Sequence, residues 1–126
     1  MTGLAKLQAN DKEAMKKAEK RLPSDELFSL VVEVFKALGD TTRAKILYLL
    51  REEKLCVRDI AILTGISESG VSHQLSELKE KRLVKAERDK NAMYYSIAYE
   101  HLQNLLQEAE YYADHIKSNI PDHPKK

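Results

Sequence analysis

The chain has no tryptophan, a single cysteine, three prolines and four glycines among its 126 residues, and aromatics make up only 6% of it. Each scarcity excludes something. One cysteine cannot form an internal disulfide, which suits a reducing compartment. So few aromatic rings argue against a carbohydrate site or a base-stacking platform. No apolar run approaches the roughly 18 residues that a membrane-spanning helix requires. The polar, lysine-rich first residues also lack the apolar stretch of a secretory signal, so the expectation is a cytoplasmic chain with no membrane partner. Neither sign of charge dominates: 21 basic residues stand against 20 acidic ones. Any basic surface must therefore be local. This length holds one domain with a modest core, and no internal repeat is visible.

Catalytic motifs are missing as well. Gly65-Ile66-Ser67-Glu68-Ser69 ends in serine where a nucleophile elbow ends in glycine, and no β-prone run leads into it. Ser72 and His73 are adjacent on an expected helix, so they point apart and cannot act as a pair. There is no phosphate-binding glycine loop and no zinc-protease helix. No enzyme is expected.

What is present is concentrated between Val57 and Lys79. Val57, Ile60 and Ala61 give a short first helix one apolar stripe, and Gly65 supplies a turn. Ser67 stands where its side-chain oxygen caps a second helix. That helix carries Val71, Leu75 and Leu78 at the i, i+4, i+7 spacing, so the three share a buried face. Ser69, Ser72, His73 and Gln74 form a short polar row on the other side. A helix of this kind, held away from the body by its partner, fits the major groove of DNA. An ordinary helical hairpin with a solvated face is the alternative, and the flanking sequence argues against it. Leu83–Arg88 and Ala92–Ile97 are β-prone runs around the polar turn Asp89-Lys90-Asn91. A hairpin directly after a recognition helix is a wing, whose Arg88 and Lys90 can reach phosphates. The fold class expected is therefore mainly α with a small β-hairpin, a winged helix-turn-helix.

The remaining segments frame this centre. Residues 1–22 are expected to form a basic arm with a marginal helix, with Lys12, Lys16, Lys17, Lys20 and Arg21 crowded into its end. Its basic side suits DNA, a solvated surface or a partner subunit. Leu22-Pro23-Ser24 breaks the chain, and residues 23–117 form the main domain. Leu27, Leu30, Val31, Val34, Phe35 and Leu38 repeat at helical spacing up to Gly39. Asp40 caps a helix whose Ile46, Leu47 and Leu50 face the core. Arg43, in its first turn, is either a phosphate contact or a surface ion pair. A last helix runs from Glu100 to about Lys117, with Leu102, Leu105, Leu106, Ala109, Ala113 and Ile116 on one broad face. The expectation is a homodimer in which the last helices pair antiparallel through Leu102, Leu106, Ala109 and Ala113. Residues 118–126 are expected to be a flexible, proline-broken tail.

Three stretches together resemble the ArsR/SmtB family of bacterial repressors: Val34–Arg43, Lys54–Ile60 and Ser67–Leu75, with Tyr94-Tyr95-Ser96-Ile97 continuing the likeness into the wing. The resemblance runs from about Phe28 to Ile116. It implies a dimeric winged helix-turn-helix repressor that leaves double-stranded operator DNA when an inducer binds, a metal ion or in some branches a thiol oxidant. It makes Ser67, Ser69, Ser72, His73 and Gln74 the DNA-reading positions. A dimeric interaction module that has lost DNA binding is the rival reading, and the polar row argues against it.

The family's metal positions carry over only in part. Where one site has a Cys-x-Cys pair, this chain has Cys56-Val57-Arg58, and no other cysteine exists to complete a soft-metal cage. Cys56 is then either a small packed residue or a redox sensor. The site on the last helix has Tyr99-x-His101 and Tyr112-x-x-His115 in place of its four ligands. In one chain these histidines lie about 20 Å apart at 1.5 Å rise per residue, too far to share an ion. Helices crossing antiparallel near Glu108 would bring His101 of one subunit opposite His115 of the other, with Glu108, Asp114 or Glu100 supplying an oxygen. Zinc or another divalent metal would suit such a site. The alternative is that tyrosines and histidines simply pack at a dimer seam.

Overall fold

Local capping chemistry sets the helix boundaries in the computed structural model, which describes residues 10–118. The expected tail therefore lies outside the described residues, apart from Ser118 at its start. Helix α1 (Lys12–Arg21) begins at Asp11, whose Oδ1 accepts the Ala14 amide at 3.0 Å. Helix α2 (Asp25–Leu38) follows the proline break, with Ser24 Oγ accepting the Leu27 amide at 3.2 Å. Gly39 ends α2 without adopting the left-handed backbone that a glycine stop usually brings. Asp40 takes over at once as cap of α3 (Thr41–Leu49), its Oδ2 accepting the Arg43 amide at 3.0 Å. The described residues divide at Lys36 and Ala37 into two compact units.

The second unit holds the winged domain. Strand β1 (Leu55–Cys56) leads directly into α4 (Val57–Thr64), then α5 (Glu68–Glu80), strands β2 (Val84–Asp89) and β3 (Ala92–Ile97), and α6 (Glu100–Ser118). The sheet is antiparallel with order β1-β3-β2. The hairpin β2–β3 was legible from its two apolar runs; β1 was not, because two residues give no periodicity to read. It pairs Leu55 with Tyr95 and Cys56 with Tyr94, so the root of the wing is a three-stranded sheet. The ladder also extends to Asp89 opposite Ala92. The expected three-residue turn is thus a two-residue one, with Lys90 at φ 59°.

One cluster of buried side chains joins these elements. Ile46, Leu47 and Leu50 from α3, Ile60 from α4 and Val71, Leu75 and Leu78 from α5 are all at 0% exposure. Burying a side chain of this size contributes about 1.5–3 kcal/mol. Leu83, Val84 and Ile97 bring the sheet into the same cluster, and Leu102 and Leu106 bring α6. That last placement corrects the expected dimer seam. Leu106 is 2% exposed and Leu102 8%, so both belong to the protomer's own core, while Ala109, Ala113 and Ile116 remain outside. The reason is that α6 returns onto β3 and α3. Tyr48 Oη donates to the Leu106 carbonyl at 2.7 Å, and Arg51 lies 5.5 Å from the Tyr48 ring centre while pairing with Glu110 at 2.7 Å. Burial, and secondarily the Glu110 carboxylate, raise the Tyr48 pKa, keeping its phenol a donor.

Helix α5 ends in a Schellman motif. The Arg82 amide donates to the Lys79 carbonyl and the Leu83 amide to the Leu78 carbonyl, both at 2.9 Å. Arg82 is the left-handed residue of that motif, at φ 65°. A side chain there costs roughly 1 kcal/mol that glycine would avoid. Arg82→Gly should therefore raise unfolding stability by up to about 1 kcal/mol, read from the urea midpoint at unchanged slope. An unaltered or lower midpoint would show that the arginine side chain offsets its own backbone strain.

Candidate nucleic-acid interface

The geometry of α4 and α5 follows from three residues between them. Gly65 adopts the left-handed backbone at φ 75° and ψ 11°, and its amide closes α4 on the Ala61 carbonyl at 2.9 Å. Thr64 Oγ1 donates to the Ile60 carbonyl at 2.8 Å and accepts the Ile66 amide at 3.2 Å, holding the turn from its inner side. Ser67 Oγ then accepts the Gly70 amide at 3.0 Å, the expected cap of α5. A Cβ at residue 70 would stand only 2.9 Å from Ile66 Cγ2 and 3.1 Å from Ser67 Oγ. Gly70 is thus required by close approach, a constraint that the sequence reading had not assigned.

With Val71, Leu75 and Leu78 buried, the opposite side of α5 is left to water. Ser69, Ser72 and His73 are exposed along it, and Ser69 Oγ lies 3.3 Å from Ser67 Oγ. These are short side chains with both donors and acceptors, so they can approach base edges without first moving bulk aside. His73 Nε2 stands 3.5 Å from Glu77 Oε2 one turn on. Gln74 differs from the rest of its row: it is half-buried, and its Oε1 is buried without a hydrogen-bond partner. A buried acceptor in that state costs about 1–3 kcal/mol. It is relieved if the side chain turns outward.

The wing presents Arg88 and Lys90 to solvent at its far end. Closer to its root, Lys54 Nζ pairs with Glu87 Oε1 at 2.9 Å. The hydrogen bond and the opposite charge raise the Lys54 pKa and lower that of Glu87, so both stay ionised and neutralise one another. Arg43 lies in the first turn of α3, as expected. It is half-buried, and its Nε donates to the Ala37 carbonyl at 3.3 Å, at the carboxyl end of α2. Cations are favourable at that end of a helix dipole.

The remaining candidates are spread along α6 and β1. His101, Glu108 and Asp114 are exposed and His115 is half-buried, all on α6. No group of three or more histidine, cysteine, aspartate or glutamate side chains comes together among the described residues. His101 and His115 of one helix are kept apart by the helical rise. Cys56 is half-buried at the junction of β1 and α4, where it is the cap residue of α4 but makes no side-chain cap bond. No described helix is long and apolar enough to cross a membrane.

Comparison with known proteins bears on this interface directly. The model of the bacterial regulatory protein arsR family matches residues 40–86, from the cap of α3 into β2. The transcriptional regulator KmtR of Mycobacterium tuberculosis is 36% identical over 102 residues, which is 81% of this chain and 78% of that one. A homologue of the cadmium resistance transcriptional regulatory protein CadC from Staphylococcus aureus is 39% identical over 97 residues, 76% of each chain. Among solved structures, the homodimeric winged helix-turn-helix DNA-binding domain of a possible ArsR-family regulator from Mycobacterium bovis superimposes with a TM-score of 0.70 at 31% identity. That match covers 98% of this chain and 100% of the other. The chain belongs to the arsR family of bacterial regulatory proteins, and it is a DNA-binding transcriptional regulator of the winged helix-turn-helix type.

Proposed function

We propose that this chain is a cytoplasmic, homodimeric repressor that reads operator DNA with Ser67, Ser69, Ser72, His73 and Gln74, holds phosphates with Arg88 and Lys90, and is released by a divalent metal shared between subunits. The observation that carries the reading is α5: one face wholly buried, the other a row of short polar side chains beside a wing. The chain acts by binding, not catalysis. Ser72 and His73 are neighbours on one helix, and His73 has Glu77 rather than a serine within reach.

Exposed apolar side chains support the dimer. Phe28, Leu30 and Phe35 on α2 are 46%, 61% and 59% exposed, and Tyr112 and Ile116 on α6 are 70% and 68% exposed. Soluble monomers seldom leave such surfaces uncovered. A second copy also suits two recognition helices on a palindromic site. Ile116→Glu should shift sedimentation toward monomer at micromolar concentration while helical content stays, since Ile116 lies outside the core. A variant that remains fully dimeric would remove α6 from the seam.

The donor set fits a metal only when two protomers pool it. His101 and His115 lie about 20 Å apart along α6, with Glu108 and Asp114 as oxygen donors nearby on the same helix. The cadmium-resistance relative supports a metal signal in general. His101 and His115 would bind the ion and so couple it to the geometry of the pair. Zinc titration of the dimer should show two ions taken up and operator affinity lowered. By reciprocity operator DNA would weaken zinc binding by the same factor, typically about 1–3 kcal/mol. His101→Ala should abolish the response and leave metal-free DNA binding intact. If the wild-type protein takes up no zinc, this inducer is wrong, and oxidation of Cys56 becomes the reading to examine.

Base reading is tested by selecting duplexes from a random pool with the full chain; an enriched palindrome is expected, and no enrichment would sink the assignment of α5. Against the selected duplex, His73→Ala should weaken binding by about 1–3 kcal/mol and relax preference at one position per half-site. Lys90→Ala should weaken selected and random duplexes alike and make the salt dependence shallower by about 0.9 per lost phosphate contact.

A further inference from the structure

The foregoing function makes no use of the charge on helix α1. Its ten residues carry Lys12, Lys16, Lys17, Lys20 and Arg21 against Glu13 and Glu19, a surplus of three positive charges. The whole chain has a surplus of only one, so everything outside α1 is net negative by two. Residues 79–90 carry an equal surplus, six cations against three carboxylates, and they include the wing positions already assigned to phosphates.

The arrangement is one-sided. At about 100° per residue, the five cations fall within roughly half the helix circumference. Glu13 lies within the same arc, and Ala14, Met15, Ala18 and Glu19 occupy the rest. None of the α1 residues is buried, so the helix is not anchored through a core of its own. Among the described residues, none of its five cations forms an ion pair, although Arg51, Lys54 and Lys36 elsewhere each have a carboxylate within 4.0 Å. Five like charges on half a helix repel one another, and the single Glu13 among them does not offset them fully. A row of phosphates would. The thin strip of two alanines and a methionine offers little apolar area for a membrane surface or a protein groove in comparison.

We propose that α1 is a second DNA-binding element, one that engages the phosphate backbone and supplies affinity without sequence preference. The inference rests on the DNA-binding reading of α5, but the two make separable predictions. Base contacts set the ratio of selected to random duplex binding, whereas phosphate contacts set the salt slope for both.

The test uses the full chain with Lys16→Gln, Lys17→Gln, Lys20→Gln and Arg21→Gln combined, glutamine being chosen because it keeps helix propensity. Fluorescence anisotropy is read on a random duplex and on the selected one between about 50 and 200 mM salt. At the lower salt the variant should bind both duplexes at least about tenfold more weakly, with their affinity ratio unchanged. Its log–log slope should be shallower by about 0.9 for each phosphate contact removed, up to about 3.6 per protomer. A companion variant with arginine at positions 16, 17 and 20 should keep the wild-type slope. An unchanged slope in the glutamine variant overturns the proposal. So does a loss of affinity with unchanged slope and dissociation into monomers, because α1 would then act at the subunit seam. A wild-type protein with a steep slope and no preference for any sequence would instead defeat the reading of α5, and the α1 variant would still decide its own case.

Discussion

The burial of Val71, Leu75 and Leu78 at zero exposure is the constraint on which the rest of the interface depends. A helix of this length offers several faces to solvent unless one is fully committed. Here the commitment is made by α3, α4, the sheet and α6 together, all in one cluster. Rotating α5 by one residue, about 100°, would pull an aliphatic side chain out of the cluster and push a serine or histidine in. Either change costs kilocalories: cavity formation on one side, an unpaired polar group on the other. The identity of the outward row is therefore a consequence of the core. Gln74 is the exception that shows the tension. It sits at the border of the two faces, and its carbonyl is buried without a hydrogen-bond partner.

The same logic explains what the sequence could and could not reveal. Helices α2 to α6 were legible from their apolar spacing, and a cap or a glycine sharpened some of the boundaries: Asp40 before α3, Gly65 after α4, Ser67 before α5. The turn between α4 and α5 was legible for the same reason. What escaped was decided by tertiary contacts that periodicity does not encode. The apolar stripe of α6 was real, but nothing in its spacing tells whether Leu106 meets its own chain or another. The Tyr48 hydroxyl on the Leu106 carbonyl and the Arg51–Glu110 pair bring the first half of α6 onto the protomer. Only the outer residues, such as Ile116, remain exposed. One bond of Arg43 escaped for a related reason: its position in the first turn of α3 was clear, but the Ala37 carbonyl that accepts from its Nε has no signature in sequence. Strand β1 exists because β3 offers it an edge, and two residues carry no pattern of their own.

Electrostatics divides the labour further. With 21 basic and 20 acidic residues the chain has almost no net field, so long-range attraction to DNA must come from how the charges are placed. Pairing removes some cations from that role: Lys54 is neutralised by Glu87 at the wing root, and Arg51 by Glu110. Under the proposed readings the Arg88 and Lys90 tip and the α1 face are among the cations that serve phosphates. Such contacts position the protein but do not choose a sequence. Under the same reading choice falls to a few short side chains on α5, whose smallness matters because groove contact needs close approach of the helix.

Helix α6 is where a signal would have to enter if the shared-metal reading holds, and its packing says how that signal could travel. Leu102 and Leu106 belong to the same cluster as Val71, Leu75 and Leu78, and α6 also bonds α3 through Tyr48. A dense core transmits a rigid shift and does not absorb it, since side chains at interior packing density cannot yield independently. An ion held between two copies of α6 would thus bias the angle between protomers as whole bodies. It would not reshape α5 within either of them. The inducer and the operator would then compete through one quantity, the spacing of the two recognition helices. Each can alter that spacing only by as much as it binds one dimer geometry better than the other. A metal bound equally well by both geometries would leave repression untouched, however tightly the histidines held it.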